Sequence, residues 1–344
     1  MSQTERSDPE PSVALGVGLT AAVFLVVQVG ALALVPDFSA AGLQATPDPS
    51  DPTNALVYVG AILVMTALML AAFRFGVDAL VKAVILLTSG MLSWYVFAVV
   101  LPSTAALVAA GLVPLLLWRY PEWYVLDATG AVIGAAAAGV FGISFGLLPA
   151  ILLLVALAVY DAISVYQTEH MLDLASGVMD LNIPVVLVFP LTLDYSVFDD
   201  GGAADGGDGE PAADGDDPKG DAAVADGSGE SEPTAETTGD DGAREVFFVG
   251  LGDAVMPTVL VASAAFFSPA SSLGVPFLPG LNLPALLGMV GTFAGLAVLL
   301  RWVLAGRAHA GLPLLNGGTL AGYLVGSLLS GVSLVTALGL GPYL

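Results

Sequence analysis

The fold class this sequence predicts is an all-α polytopic membrane protein, and three observations predict it. Of 344 residues, 56% are hydrophobic and only 11% charged, where ordinary soluble domains run about 25% charged. Apolar runs of about 20 residues, the length that crosses roughly 30 Å of hydrocarbon, recur along the chain. The net charge of −23 is unevenly placed: about half of the acids fall between Asp194 and Asp241, in a Gly/Asp/Ala-rich segment with one basic residue, Lys219. Such a segment lacks the apolar residues to bury a core and is expected to be a disordered loop.

Taken in order, nine spans are expected, at about 13–35, 54–74, 77–101, 103–119, 129–147, 149–167, 246–268, 283–305 and 312–338. The first apolar run is too long for the core of a cleaved signal peptide and is read as a retained span. Asp78 and Lys82, four residues apart, form a helix-end pair at the start of the third. The fourth and sixth are short. The fifth, GAVIGAAAAGVFGISFG, has the small residues that allow close helix packing. Pro257 is expected to kink the seventh, and Asn316, Gly317 and Gly318 to interrupt the ninth.

With the N-terminus cytoplasmic, all 8 basic residues of the chain (Arg6, Arg74, Lys82, Arg119, Lys219, Arg244, Arg301 and Arg307) fall on the cytoplasmic side. That alternation predicts an N-in/C-out topology. It divides the chain into an N-terminal membrane part (1–190), a cytoplasmic acidic loop (191–244) and a C-terminal membrane part (245–344), with the plasma membrane as the expected location.

Several function classes are excluded. With no cysteine there are no disulfides or thiolate metal sites. With only His170 and His309, and no HExxH, no metal or cofactor is expected. The few Lys and Arg argue against a nucleic-acid partner. The acidic excess in the solvated parts points to a high-salt organism.

Two acids remain inside apolar runs, Asp161 in the sixth span and Asp253 in the seventh. Each is costly there, about 2.5–3.5 kcal/mol at the bilayer centre on the lenient insertion scale. On helical rise, Asp161 lies roughly 18 Å inward from Pro149, and Asp253 roughly 10 Å from Val246 on the return. The two therefore fall at nearly one depth. Two carboxyls that close share a proton, one serving as acid and the other as base, and such a pair activates water against an amide. The alternative is a proton- or sodium-coupled transporter that uses both acids as ion ligands. Broken helices suit that reading, but the internal repeats usual in such folds are not evident.

Tyr160-Asp161 in one span and Gly250-Leu251-Gly252-Asp253 in the next resemble the YD and GxGD motifs of the presenilin and signal peptide peptidase family of intramembrane aspartyl proteases. The family's third motif, Pro-Ala-Leu at the start of the last helix, is matched in part by Ala310-Gly311-Leu312-Pro313. A literal Pro284-Ala285-Leu286 opens the eighth span, one helix too early, and is read as an ordinary helix start. The stretch from His170 to Pro184 also resembles the segment after the sixth span in archaeal members.

The resemblance implies hydrolysis of transmembrane or signal-peptide-like protein substrates within the bilayer, with Asp161 and Asp253 as the catalytic pair. It implies supporting roles for Tyr160, Gly250, Leu251, Gly252, Gly311, Leu312 and Pro313. Gly311 and Pro313 are expected to break helical bonding and free backbone groups beside the cleft. The β-branched run Ile183–Pro190 is either a short interfacial segment or a strand that pairs with unwound substrate. Residues Met171–Met179 read as an interfacial amphipathic helix, and His170 as an interfacial polar residue.

Overall fold

The structure, a computed structural model, describes residues 11–167, 186–190, 246–304 and 310–343. The acidic loop, the proposed interfacial helix at Met171–Met179, His170, His309 and the basic residues Arg6, Lys219, Arg244 and Arg307 lie outside the described residues.

Six helices run in order: α1 (Pro11–Ala40), α2 (Thr53–Arg74), α3 (Asp78–Val100), α4 (Ser103–Arg119), α5 (Trp123–Ser144) and α6 (Leu147–Gln167). Two short strands come next, β1 (Val186–Pro190) and β2 (Val246–Gly250). Then come α7 (Leu251–Phe267), α8 (Leu283–Leu304), α9 (Gly311–Leu329), the short α10 (Leu334–Ala337) and a last 3-10 turn, Gly341–Tyr343. Among the described residues, 7 helices are long and apolar enough to span a membrane, and α4 and α7 are shorter apolar helices. The expected spans are all present, and four of them need correction: the sixth, expected to be short, runs the 21 residues Leu147–Gln167.

The fifth begins at Trp123 rather than 129, which brings Asp127 into the helix. The seventh opens as strand: Val246–Gly250 pairs antiparallel with β1, with Val188 opposite Phe248, and the helix begins only at Leu251. Asp253 therefore lies in the first turn of α7, and a helical rise does not apply to the residues before it. The ninth is not interrupted at Asn316, Gly317 and Gly318, which lie within continuous helix. It ends earlier, at Leu329.

That continuity has a packing cause. A Cβ on Gly318, Gly322 or Gly326 would collide with backbone atoms of Gly291, Leu287 or Pro284 on α8. The two backbones approach so closely that only glycine fits, which is how small residues drive helix association in lipid. Van der Waals contact across this seam offsets glycine's weak helix propensity. Pro284-Ala285-Leu286 belongs to this seam, as Gly326 shows.

The centre of the bundle is α7. From Ala254 to Ala264 nearly every residue is buried, within a core shared with α1, α5, α6, α8 and α9. Its register against α5 is set by Gly134, which faces Leu251 and Val255, and by Gly142, which faces Ala262. Large apolar side chains left exposed, such as Leu56, Met65, Leu87, Leu107 and Trp118, lie on α2, α3 and α4, where a bilayer covers them.

One end of the bundle closes on itself. Ser263 donates to the Phe145 carbonyl (2.8 Å), and Asn282 donates to the Ala264 carbonyl (2.8 Å) while accepting the Ala285 N–H (2.9 Å). Thr46 bonds the Ser144 carbonyl, and the Tyr343 hydroxyl reaches the Ser50 carbonyl at 2.9 Å. The opposite end holds the strand pair, the last turns of α6 and the first turns of α5, α7 and α9. Arg74, Lys82, Arg119 and Arg301 are at this same end, on the termini of α2, α3, α4 and α8.

Candidate active site

Three helix ends meet where the sequence places its acids. Asp161 projects from α6 six residues before its end and is only 6% exposed. Asp253 is the third residue of α7, and it lies within electrostatic reach of Asp161. Gly311-Leu312-Pro313 forms the first turn of α9.

Each acid has a local physical reason to be there. The first N–H groups of a helix have no partner within it, and its N-terminus carries partial positive charge. At α9 the cap residue is Ala310, which has no side-chain acceptor. Its role passes to a neighbouring helix: the Leu312 N–H donates to Asp161 Oδ2 at 3.0 Å. Pro313 removes another unpaired donor by having none. At α7 the cap residue is Gly250, again without a side-chain acceptor. Asp253 folds back over it, with Oδ2 3.5 Å from where a Gly250 Cβ would stand. That is the reach of an acidic third residue toward the cap in a capping box. Two positive helix ends thus converge on two carboxyls.

The segment Gly311-Leu312 joins them. Leu312 bonds Asp161, and the position of a Gly311 Cβ lies 3.4 Å from Asp253 Oδ2. The backbone expected to be free for substrate is therefore partly engaged by the acid pair. The reason is that α9 continues as helix through Pro313, so its N–H is an end donor and not a broken internal bond.

The remaining sequence-predicted residues separate into groups. Gly252 is exposed, and a Cβ there would meet nothing within 4 Å, so open space lies beside the acid. Leu251 points inward instead, its Cδ1 3.1 Å from a Gly134 Cβ position, and packs between α7 and α5. Tyr160 is partly buried beside Asp161, and its hydroxyl has no hydrogen-bond partner among the described residues. Pro313 borders an apolar groove of about 260 Å³ between Leu154, Ala158 and Ala162 of α6 and Asn316 and Leu320 of α9.

One acid near the site escapes the sequence reading. Asp127, buried on α5 at 6% exposure, accepts the Val188 N–H of β1 at 2.8 Å. An acid inside WYVLDATGAV, between apolar neighbours, is the available signal. No group of three or more potential metal-ligating acids or histidines occurs among the described residues.

A family model described as signal-peptide peptidase, presenilin aspartyl protease matches residues 21–332. The chain belongs to that family. A solved presenilin family intramembrane aspartate protease, in space group C222, is 31% identical over 91% of this chain and 99% of that one, with a TM-score of 0.59. A structure described in the same words, in space group P2, is 32% identical over 91% of this chain and 97% of that one, with a TM-score of 0.56. No individually curated protein matches the sequence. The protein is a multi-pass intramembrane aspartyl protease, and the transporter alternative is set aside.

Proposed function

We propose that Asp161 and Asp253 are the acid–base pair of this protease. The observation that carries the reading is the Gly311-Leu312 turn, which lies against both carboxyls at once. With one proton shared between them, the ionised carboxylate takes a proton from water and the oxygen attacks the peptide carbonyl carbon. The protonated partner gives its proton to the carbonyl oxygen. Collapse of the tetrahedral diol breaks the C–N bond: the amine nitrogen leaves with the proton first taken from water, while one diol hydroxyl returns its proton to the other carboxylate, leaving a carboxylic acid and the singly protonated pair. The rate follows a bell in pH, because the doubly protonated pair lacks a base and the doubly ionised pair lacks an acid.

The substrate class we infer is transmembrane or signal-peptide-like helices that unwind locally. The strand β2 supports this. Val188 gives its N–H to Asp127, so Val188 and Phe248 form a non-hydrogen-bonded pair in the ladder, and the Phe248 backbone groups point away from β1. Pro190, which lacks an N–H, falls at the same parity. An extended peptide added along that edge leads past Gly250 and the open space at Gly252 to Asp253. Gly250 and Gly252 serve here by leaving room, Tyr160 by flanking Asp161 and Pro313 by shaping the α9 turn, while Leu251 holds α7 in register.

The basic helix ends at the site's end of the bundle support placing that end, and the loop 191–244, on the cytoplasmic side of the plasma membrane. The three-part division at 191 and 244 and a high-salt archaeal source belong to the same proposal.

The test is detergent-solubilised enzyme with a model transmembrane peptide and mass spectrometry of the fragments, across pH, for wild type, Asp161→Asn and Asp253→Asn. Wild type is expected to cut and both variants to be silent while remaining folded. Near-wild-type cutting by either variant sinks the pair.

A further inference from the structure

Asp127 is a buried carboxyl that the proposed chemistry does not use. Its surroundings specify a different task. It is the fifth residue of α5, 6% exposed, and its Oδ1 takes the Val188 N–H at 2.8 Å, across 61 residues of sequence. The strand it holds is buried on both faces. Leu187 and Phe189 pack with Leu19 and Val23 of α1, while Val188 packs with Val113, Leu117 and Leu126. The two edges of the pair differ. The edge of β1 facing α5 meets a carboxylate, whereas β2 has Phe248 at 50% exposure and runs directly into Gly250 and Asp253.

A two-stranded ribbon is only marginally stable by itself, and a slip of one residue would turn every side chain to the opposite face. Within this ribbon, a slip of β1 would put Val188 where Leu187 or Phe189 now packs. Because β2 continues straight into α7, such a slip would also change the pairing that backs β2 and the substrate edge it offers beside the acid pair.

We propose that Asp127 is a positioning residue: by accepting the Val188 N–H it closes the inner edge of the strand pair. It thereby fixes the register in which β2 presents a substrate to Asp253. Its role is that of an acceptor, so an amide oxygen at the same place suffices. The inference rests on the protease reading above, and in particular on strand addition at β2.

The test uses the full chain, purified and reconstituted with a model transmembrane peptide. It reads kcat, KM and fragment masses for wild type, Asp127→Asn, Asp127→Leu and Asp127→Ala. Amide hydrogen exchange over 186–190 is measured in the same samples. Asp127→Asn is expected to cut at the wild-type bonds with kcat within about threefold, since it keeps the acceptor. Asp127→Leu and Asp127→Ala are expected to lose about tenfold or more in kcat with KM little changed, because a buried N–H is left without a partner. Their cuts should also spread to neighbouring bonds, and amides 186–190 should exchange faster than in wild type or Asp127→Asn.

Wild-type rates and cut positions in the Leu and Ala variants overturn the proposal while leaving the protease reading intact. An Asn variant that behaves like Leu also overturns it, because charge and not acceptance would then matter. Should Leu and Ala fail to fold, the Asn arm decides alone: unchanged cut positions support the proposal and shifted ones overturn it. If wild type itself cuts nothing, the protease reading of this substrate fails. The exchange arm then still decides on Asp127, with equal exchange in all variants overturning the clamp.

Discussion

The two ends of this bundle are built from the same helices and meet their buried backbone groups with different kinds of side chain. At the closed end the buried partners are neutral side chains: Ser263 and Tyr323 donate to the Phe145 and Ala337 carbonyls, and Asn282 bonds both the Ala264 carbonyl and the Ala285 N–H. At the other end the left-over groups are N–H donors, and the partners are acids from elsewhere in the chain: Asp161 for Leu312, Asp127 for Val188. A neutral amide or hydroxyl closes a helix end in lipid more cheaply than a carboxyl does. The closed end therefore reads as scaffold. The acids at the other end are retained for what they do beyond capping.

The largest effect expected from that contrast is at the acid pair. Asp161→Asn and Asp253→Asn should each lower peptide cleavage by about 10³-fold or more, the range for losing positioned acid–base chemistry. Thermal inactivation midpoints should stay or rise, because a neutral side chain is easier to bury. If either variant lowered stability strongly and left turnover per folded molecule unchanged, the site end would be scaffold too.

Next in size is the α8–α9 seam. Gly322→Ala places a methyl group against the Leu287 carbonyl, a backbone atom with no rotamer to escape into. The expected cost is about 3 kcal/mol or more, at the upper end for overpacking. It should be read as a lower thermal midpoint with kcat per folded molecule changed little, unless the α9 turn at Gly311-Leu312 shifts with it. A preserved midpoint would show that the seam is looser than its geometry.

At the closed end, Asn282→Ala should act on stability alone. It removes a buried donor to Ala264 and the acceptor for Ala285, at the start of α8. About 1–3 kcal/mol of stability should be lost. Cleavage positions and the pH profile should not move, as fragment masses and rate–pH curves would show. Movement of either would mean that the closed end governs chemistry.

These contrasts also explain which features are legible in the sequence and which are not. Span number comes from hydropathy over about 20 residues, which tolerates boundary errors of several residues. Asp161, Asp253 and the Gly311-Leu312 turn are legible because an acid or a helix-breaking pair inside an apolar run stands out. Asp127 escapes because Glu122 and Asp127 together lower local hydropathy, so the fifth span is placed after them, at 129. Strand β2 reads as helix because VFFVG is uniformly apolar, and such short runs carry no period to separate strand from helix. Asn316-Gly317-Gly318 reads as a break on propensity alone. The apposed Gly291 and Gly295 of α8 make Gly318 favourable, whereas a Cβ on Gly317 would meet nothing within 4 Å.

The smallest predicted effect tests whether polar pairs inside the scaffold differ in kind from the pair at the site. Thr292 of α8 and Thr319 of α9 have hydroxyls 2.7 Å apart, and each also bonds its own helix, at the Gly288 and Leu315 carbonyls. Two hydroxyl protons serve three contacts, so one contact always lacks a proton and the pair is incompletely satisfied. Thr→Val preserves shape. Either single replacement leaves one hydroxyl facing a methyl group and should cost about 1 kcal/mol. The double replacement, Thr292→Val with Thr319→Val, removes both partners together and should fall within about 0.5 kcal/mol of wild type, with a positive coupling in the double-mutant cycle. The readout is the thermal midpoint of the four proteins together with their cleavage rates. Replacing both members of the acid pair, by contrast, should restore nothing, because the proposed reaction, and not packing, joins those partners. A Val–Val variant that folds but no longer cuts would place the seam within the catalytic machinery and remove the distinction drawn between the two ends.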